Sequence, residues 1–200
     1  VDLKTGITET LYTSCNGAPL IGPNDIVFDS SGGFWFTDHG HTRRRDRDRG
    51  GVFYATIDGS HIQEVISPMD GPNGIGLSPD GSQLYVAETP TGRLWSFKIK
   101  HPGQIENQKR IVPWEKGQLI AAPEGYHLFD SLALDSLGNI CVGSIPGKID
   151  VFSPTGQQID RVVLSDIFPT NQCFGGPELN TAFITLSSTG RLISMKWPTQ

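Results

Sequence analysis

Three oxygen-bearing side chains recur at matching places along this chain. They are Asn24 in GPNDIVFDSSGGFWFTD, Asn73 in GPNGIGLSPDGSQLYVAET and Asp130 in FDSLALDSLGNICVGS. Neighbours in the set stand about 50–60 residues apart, the spacing of a structural repeat rather than of one local motif. Two amide oxygens and one carboxylate are hard ligands. Brought to one point they suit a divalent cation, Ca²⁺ before Mg²⁺, whereas no Cys or His group has zinc spacing. Taken singly, each Asn is explained as the cap of a tight turn after Pro. The periodic set with a charged member favours the metal reading.

Such a set needs a scaffold that returns the chain to one axis. Each copy opens a run of alternating apolar residues, passes a Gly-containing turn and enters a second run. The same grammar returns more faintly in CFGGPELNTAFITLSS. Two further strands follow in each unit: GGVFYATID and HIQEVIS across Asp58-Gly59, GRLWSFKIK and QKRIVPW, then GKIDVFSP and QQIDRVVLS across Thr155-Gly156. The last unit offers GRLISMKWP and lacks an outermost strand. Four short strands per unit of about 40–50 residues is the period of a β-propeller blade. A β-sandwich with fortuitous likeness is the alternative. The expectation is a single all-β propeller domain over 1–200, with blades near 14–67, 68–115, 125–168 and 170–198. VDLKTGITETLYT reads as the last two strands of an earlier blade, and Glu106 to Lys109 as at best a turn. A closed six-bladed ring would need more chain upstream, so the sequence reads as a fragment of about four blades plus part of another.

Composition agrees. The 200 residues carry 24 Gly and 14 Pro scattered between short apolar runs, which suits many tight turns better than long helices. A formal net charge of −5 argues against nucleic-acid or membrane-surface partners. No apolar run approaches the roughly 18 residues of a membrane span. Three cysteines are too few for a disulfide framework. They lean toward a reduced, cytoplasmic compartment, with one disulfide and a spare thiol left open. The sequence opens on Val1 with no initiator Met or signal peptide visible, which reads as a missing natural N-terminus and leaves localisation otherwise unread. No Gly-x-Ser-x-Gly, phosphate-binding loop or Cys-x-x-Cys is present.

The segments PND…D…GGFWFTD, PNGIGLSPDGSQLYVAET, DSLALDSLGNICV and FGGPELNTAFIT resemble the gluconolactonase, regucalcin (senescence marker protein) and luciferin-regenerating enzyme family, in family order through nearly the whole chain. The resemblance implies a six-bladed propeller holding a divalent metal at its channel, most simply Ca²⁺, with Mg²⁺, Mn²⁺ or Zn²⁺ as alternatives. It implies Asn73 and Asp130 as ligands, and Asn24 as the further channel Asn that approaches metal or substrate. The family's Glu ligand belongs to a blade outside this sequence. The implied activity is hydrolysis of sugar-type lactones or other esters. The cation would polarise the carbonyl, and Asp130 would act as base toward the attacking water, in tension with its role as ligand. Asp25 is a second candidate base and a candidate substrate contact, set against a strand-entry residue facing a loop.

Two departures bear on substrate. Vertebrate-type members carry an Arg two residues before the channel Asn, where this sequence has Gly22. The loop DHGHTRRRDRDRGG resembles the lid-bearing connection of the bacterial branch, suited either to an anionic substrate or to plain solvation by self-compensating charge. His39, at its base, is either a channel-mouth substrate contact or a surface histidine. Trp35, Tyr85, Trp95 and Phe97 read as packing between blades, and Asp29, Asp80 and Asp135 as turn residues. Two rival functions remain open: a propeller that binds protein partners without metal, and a calcium-binding relative with little turnover. The oligomeric state is unread.

Overall fold

The alternating runs form ladders, and the Gly-containing turns join them. The computed structural model describes residues 1–107 and 116–198. The strands in order are β1 (Ser14–Cys15), β2 (Ala18–Pro19), β3 (Pro23–Phe28), β4 (Gly33–Asp38), β5 (Gly50–Thr56), β6 (Ile62–Met69), β7 (Pro72–Leu77), β8 (Gln83–Glu88) and β9 (Arg93–His101). They continue as β10 (Gln104–Ile105), β11 (Gln118–Ala121), β12 (Leu128–Leu134), β13 (Ile140–Ile145), β14 (Lys148–Phe152), β15 (Gln158–Val163), β16 (Pro169–Gly175), β17 (Thr181–Leu186) and β18 (Arg191–Lys196). No helix is present among the described residues.

Four antiparallel meanders emerge, β3-β4-β5-β6, β7-β8-β9 with β10 and β11 on its outer edge, β12-β13-β14-β15 and β16-β17-β18. These are four blades arranged as a β-propeller, and the last has three strands, as the sequence suggests. The second blade's outer edge is built by β11, past the expected boundary at 115. The strand expected at QKRIVPW, and Lys109, lie outside the described residues.

The N-terminal expectation is corrected. Residues 1–13 form no strand. Instead the Asp2 carboxylate accepts hydrogen bonds from the N–H groups of Lys4 and Thr5, closing a local turn. The first ladder is the short β1-β2 hairpin, a sheet of its own. A segment whose N–H groups are satisfied by its own Asp side chain has that alternative to a ladder.

The core lies between blades. Trp35, Val52, Tyr54 and Ile66 pack on Ile75, Leu84, Val86, Trp95 and Phe97 of the next blade. Tyr85, Ala87 and Leu94 pack on Phe129, Leu132, Ile140 and Phe152. Cys141, Ile149 and Val151 pack on Ala182, Ile184, Leu186 and Trp197. Each fully buried apolar side chain contributes roughly 1.5–3 kcal/mol, so these seams fix how the blades sit around the axis. Cys15, Cys141 and Cys173 are all free, and burial raises the Cys141 thiol pKa. Asp29, Asp80 and Asp135 each accept backbone N–H groups within their own turns, as the sequence predicts.

Candidate functional site

The first strands of the first three blades share one irregularity. Their ladders are regular through most of the strand, then slip at the end where the strand begins: between Pro23 and Ile26, between Pro72 and Ile75, and between Phe129 and Leu132. Each slip is a β-bulge, which releases residues from pairing and re-aims their side chains. Asn24, Asn73 and Asp130 hold the same place in the three bulges. The residues that follow them, Asp25, Gly74 and Ser131, are also equivalent. The repeated GPN is therefore the start of a bulge, not only a turn.

Asn73 and Asp130 meet. The Asn73 side chain hydrogen-bonds the Asp130 carboxylate, and Asn73 Nδ2 also donates to Thr89 Oγ1 at 3.1 Å. Asn73 is 5% exposed, and its Oδ1 is buried with no hydrogen-bond partner. An unpaired buried carbonyl of this kind costs about 1–3 kcal/mol, so native structures give such atoms a partner or a purpose. Burial pushes the Asp130 pKa up to about 6, opposed by the Asn73 hydrogen bond and the Ser131 N–H. The nearby Asp25 charge adds to the rise and His39 offsets it. Among the described residues no three His, Cys, Asp or Glu side chains gather as a metal-binding group. An orphaned amide oxygen next to a carboxylate fits a hard cation.

Asp25 lies within electrostatic reach of Asp130 but is engaged elsewhere. One carboxylate oxygen accepts the N–H of Ile75 at 3.2 Å and the other its neighbour Ile26 N–H. Ser131 and the Leu132 N–H also hydrogen-bond it, while burial raises its pKa above the usual range. One carboxylate from β3 thus ties together β7 and β12. Thr37 adds a second tie, accepting the Asp25 N–H at 3.1 Å and donating to the Asn73 carbonyl at 2.7 Å.

Gly74 is why β7 and β12 can approach so closely. A Cβ there would stand 2.5 Å from the Leu132 nitrogen and 2.7 Å from the Asp130 carbonyl oxygen, both main chain. Gly74→Ala must push β7 off β12, with an expected loss of about 2–3 kcal/mol. A urea denaturation midpoint measures this, and an unchanged midpoint would contradict the close approach.

His39 is half-buried at the mouth. Its Nδ1 lies 3.0 Å from the Gly40 carbonyl, and its Nε2 faces Gly71, where an added Cβ would stand 3.1 Å away. Asn24 is exposed on the free side of β3, and among the described residues its side chain has no hydrogen bond. It shares the register of Asn73 and Asp130, and among the described residues no hydrogen bond joins it to either. The Arg-rich loop is a braced hairpin. Arg43 pairs with Asp46 at 2.6 Å and Asp48 at 2.7 Å, the latter carboxylate being drawn down to about 2, while Arg47 and Arg49 reach Asp70 at 3.5 and 3.0 Å.

Sequence reasoning missed a buried ionic cluster beneath this corner. Lys116 Nζ contacts Asp70 Oδ2 at 2.7 Å and also Glu88 Oε1, and Glu88 is fully buried. Glu88 accepts the Asp70 N–H at 2.8 Å and the Thr91 hydroxyl at 2.8 Å. Only the charged residue ending an otherwise apolar strand, in LYVAE, hinted at it.

Blades around a shared axis bring a carboxylate and a buried unpaired amide oxygen together at the strand-entry end. The family model described as SMP-30/Gluconolactonase/LRE-like region matches residues 1–188, and the chain belongs to that family. It is 32% identical over 193 residues to the diisopropyl-fluorophosphatase of Loligo vulgaris, covering 90% of this chain and 59% of that protein. It is 28% identical over 196 residues to the gluconolactonase of Zymomonas mobilis, covering 94% of this chain and 54% of that one. A solved gluconolactonase from Xanthomonas campestris superposes with a TM-score of 0.73 at 26% identity, over 94% of this chain and 60% of the other. The chain thus spans less than two thirds of the length of these relatives.

Proposed function

We propose that the whole protein is a divalent-metal-dependent lactonase whose reaction takes place at the channel mouth. The observation that carries this reading is the buried, unpartnered Asn73 Oδ1 beside the half-buried Asp130. Family membership and a relative named gluconolactonase support the substrate class.

Asn73 and Asp130 would hold the cation, with Asn24 approaching it or the substrate from the equivalent bulge. Ca²⁺ suits these oxygen donors best, and Mg²⁺, Mn²⁺ or Zn²⁺ are the alternatives to test. When bound, the ion would supply Lewis-acid polarisation of the lactone carbonyl. Asp130 would take the proton of the attacking water; its pKa is raised in the metal-free site, and a bound cation would lower it. Asp25 tightens the channel by locking three strands beside Asp130. His39 faces the mouth, placed to contact the substrate. A small-molecule lactone or ester is the expected partner, with no nucleic acid or membrane surface.

Resemblance to diisopropyl-fluorophosphatase favours a second reading, hydrolysis of a phosphorus ester, since the same arrangement can polarise a phosphoryl oxygen as readily as a carbonyl. Assaying full-length protein against gluconolactone and a phosphofluoridate, by proton release, separates the two. Chelation is expected to remove the activity and Ca²⁺ to restore it. Turnover indifferent to chelator would sink the metal-dependent reading.

A further inference from the structure

The Asn73 amide can donate or accept on either side, and only one orientation leaves its oxygen free. Its Nδ2 donates to Thr89 Oγ1 at 3.1 Å, and Thr89 is itself fixed, because its N–H donates to the Gly71 carbonyl at 3.1 Å. Thr89 follows Glu88, which accepts the N–H of Asp70 and is locked by Lys116 and Thr91. On the other side the Asn73 carbonyl is pinned by the Thr37 hydroxyl. Both the main chain of the bulge and the far end of the amide are thus held, while Oδ1 alone is left over.

We infer that Thr89 is a positioning residue of the channel-mouth site: its hydroxyl holds the Asn73 amide so that Oδ1 stays presented for a divalent cation. Groups that orient a metal ligand from behind commonly change metal affinity 10–100-fold when removed. Thr89 does not touch the reacting atoms. Valine keeps its shape and discards the acceptor, leaving the Asp130 carboxylate as the amide's remaining hydrogen-bond partner and loosening its orientation. Serine keeps the acceptor. The inference rests on the metal reading above, and the two fail differently.

The test is Ca²⁺ titration calorimetry of full-length wild type, Thr89→Val and Thr89→Ser, with thermal midpoints of the metal-free proteins measured alongside. Thr89→Val is expected to bind Ca²⁺ roughly 10–100-fold more weakly, and Thr89→Ser close to wild type. Equal affinity of wild type and Thr89→Val would overturn the role of Thr89 alone. Equal weakening by valine and serine would also overturn it, since the hydroxyl would then not matter. A wild type that takes up no Ca²⁺ overturns the metal reading and this inference with it. Slowed hydrogen exchange of the Asn73 side-chain NH₂ in the metal-free wild type is a readout that needs no variant. Exchange at the rate of a free amide would contradict the clamp.

Discussion

Asp130→Asn is expected to cut lactone hydrolysis by on the order of 10³-fold, within the range for losing a catalytic base, while making the metal-free protein more stable. The two effects share one cause. Asp130 is desolvated, and its folded-state pKa is raised from 3.8 to about 6. The folded protein therefore holds the proton more tightly than the unfolded chain does. The stability this provides is present below about pH 4 and is lost as pH rises through about 6. At neutral pH the ionised carboxylate is a burden that asparagine removes. A gain of about 1 kcal/mol would raise the melting temperature by about 2–4 °C in a domain of this size. Differential scanning calorimetry at pH 4 and pH 7 checks it: the metal-free variant should gain at pH 7 and little at pH 4. A loss of stability at pH 7 would show that the carboxylate is not strained by burial. Protons also compete with the cation, so wild-type Ca²⁺ affinity should weaken toward tenfold per unit as pH falls below about 6.

Lys116→Met should destabilise the fold by about 3 kcal/mol. Lys116 is the cation of a cluster in which Glu88 is fully buried and Asp70 is part-buried. Removing one partner of a buried pair leaves the other charge without compensation, at a typical cost of 3–5 kcal/mol. The lower figure applies because Arg47 and Arg49 still face Asp70 from the loop. Urea denaturation measures the loss, and the double variant Lys116→Met/Glu88→Gln should recover much of it. Lys116→Met with an unchanged midpoint would mean the cluster is solvated. Because Glu88 also holds the Asp70 N–H, three residues ahead of Asn73, the variant should weaken Ca²⁺ binding as well.

How far the sequence could be read follows from the nature of each feature. The repeated GPN and the Asp130 variant of it were legible because a repeat writes equivalent positions in a common order. Most strands followed from alternation between Gly turns, as in GGVFYAT and RLWSFKIKH. The lack of strands over residues 1–13 was not legible, because Asp2 satisfies its own neighbours and nothing local reveals that competition. Asp25 was recognisable as polar at a strand entry. That its carboxylate bridges β7 and β12 depends on contacts between blades, which no spacing in one blade encodes. Thr89 and the Lys116–Glu88 pair were illegible for another reason: they join strand ends 16 and 28 residues apart within the second blade, a closure that strand periodicity does not specify. An ETPTG segment looks like a turn until the neighbouring bulge is placed against it.

The central claim is that Asn73 and Asp130 jointly hold a divalent cation at the channel mouth. Anomalous diffraction from crystals of the full-length protein soaked in Mn²⁺ tests it most directly. The account predicts a peak about 2.0–2.6 Å from both Asn73 Oδ1 and an Asp130 carboxylate oxygen, abolished in Asp130→Ala. A peak elsewhere, or a site that persists in Asp130→Ala, would contradict it.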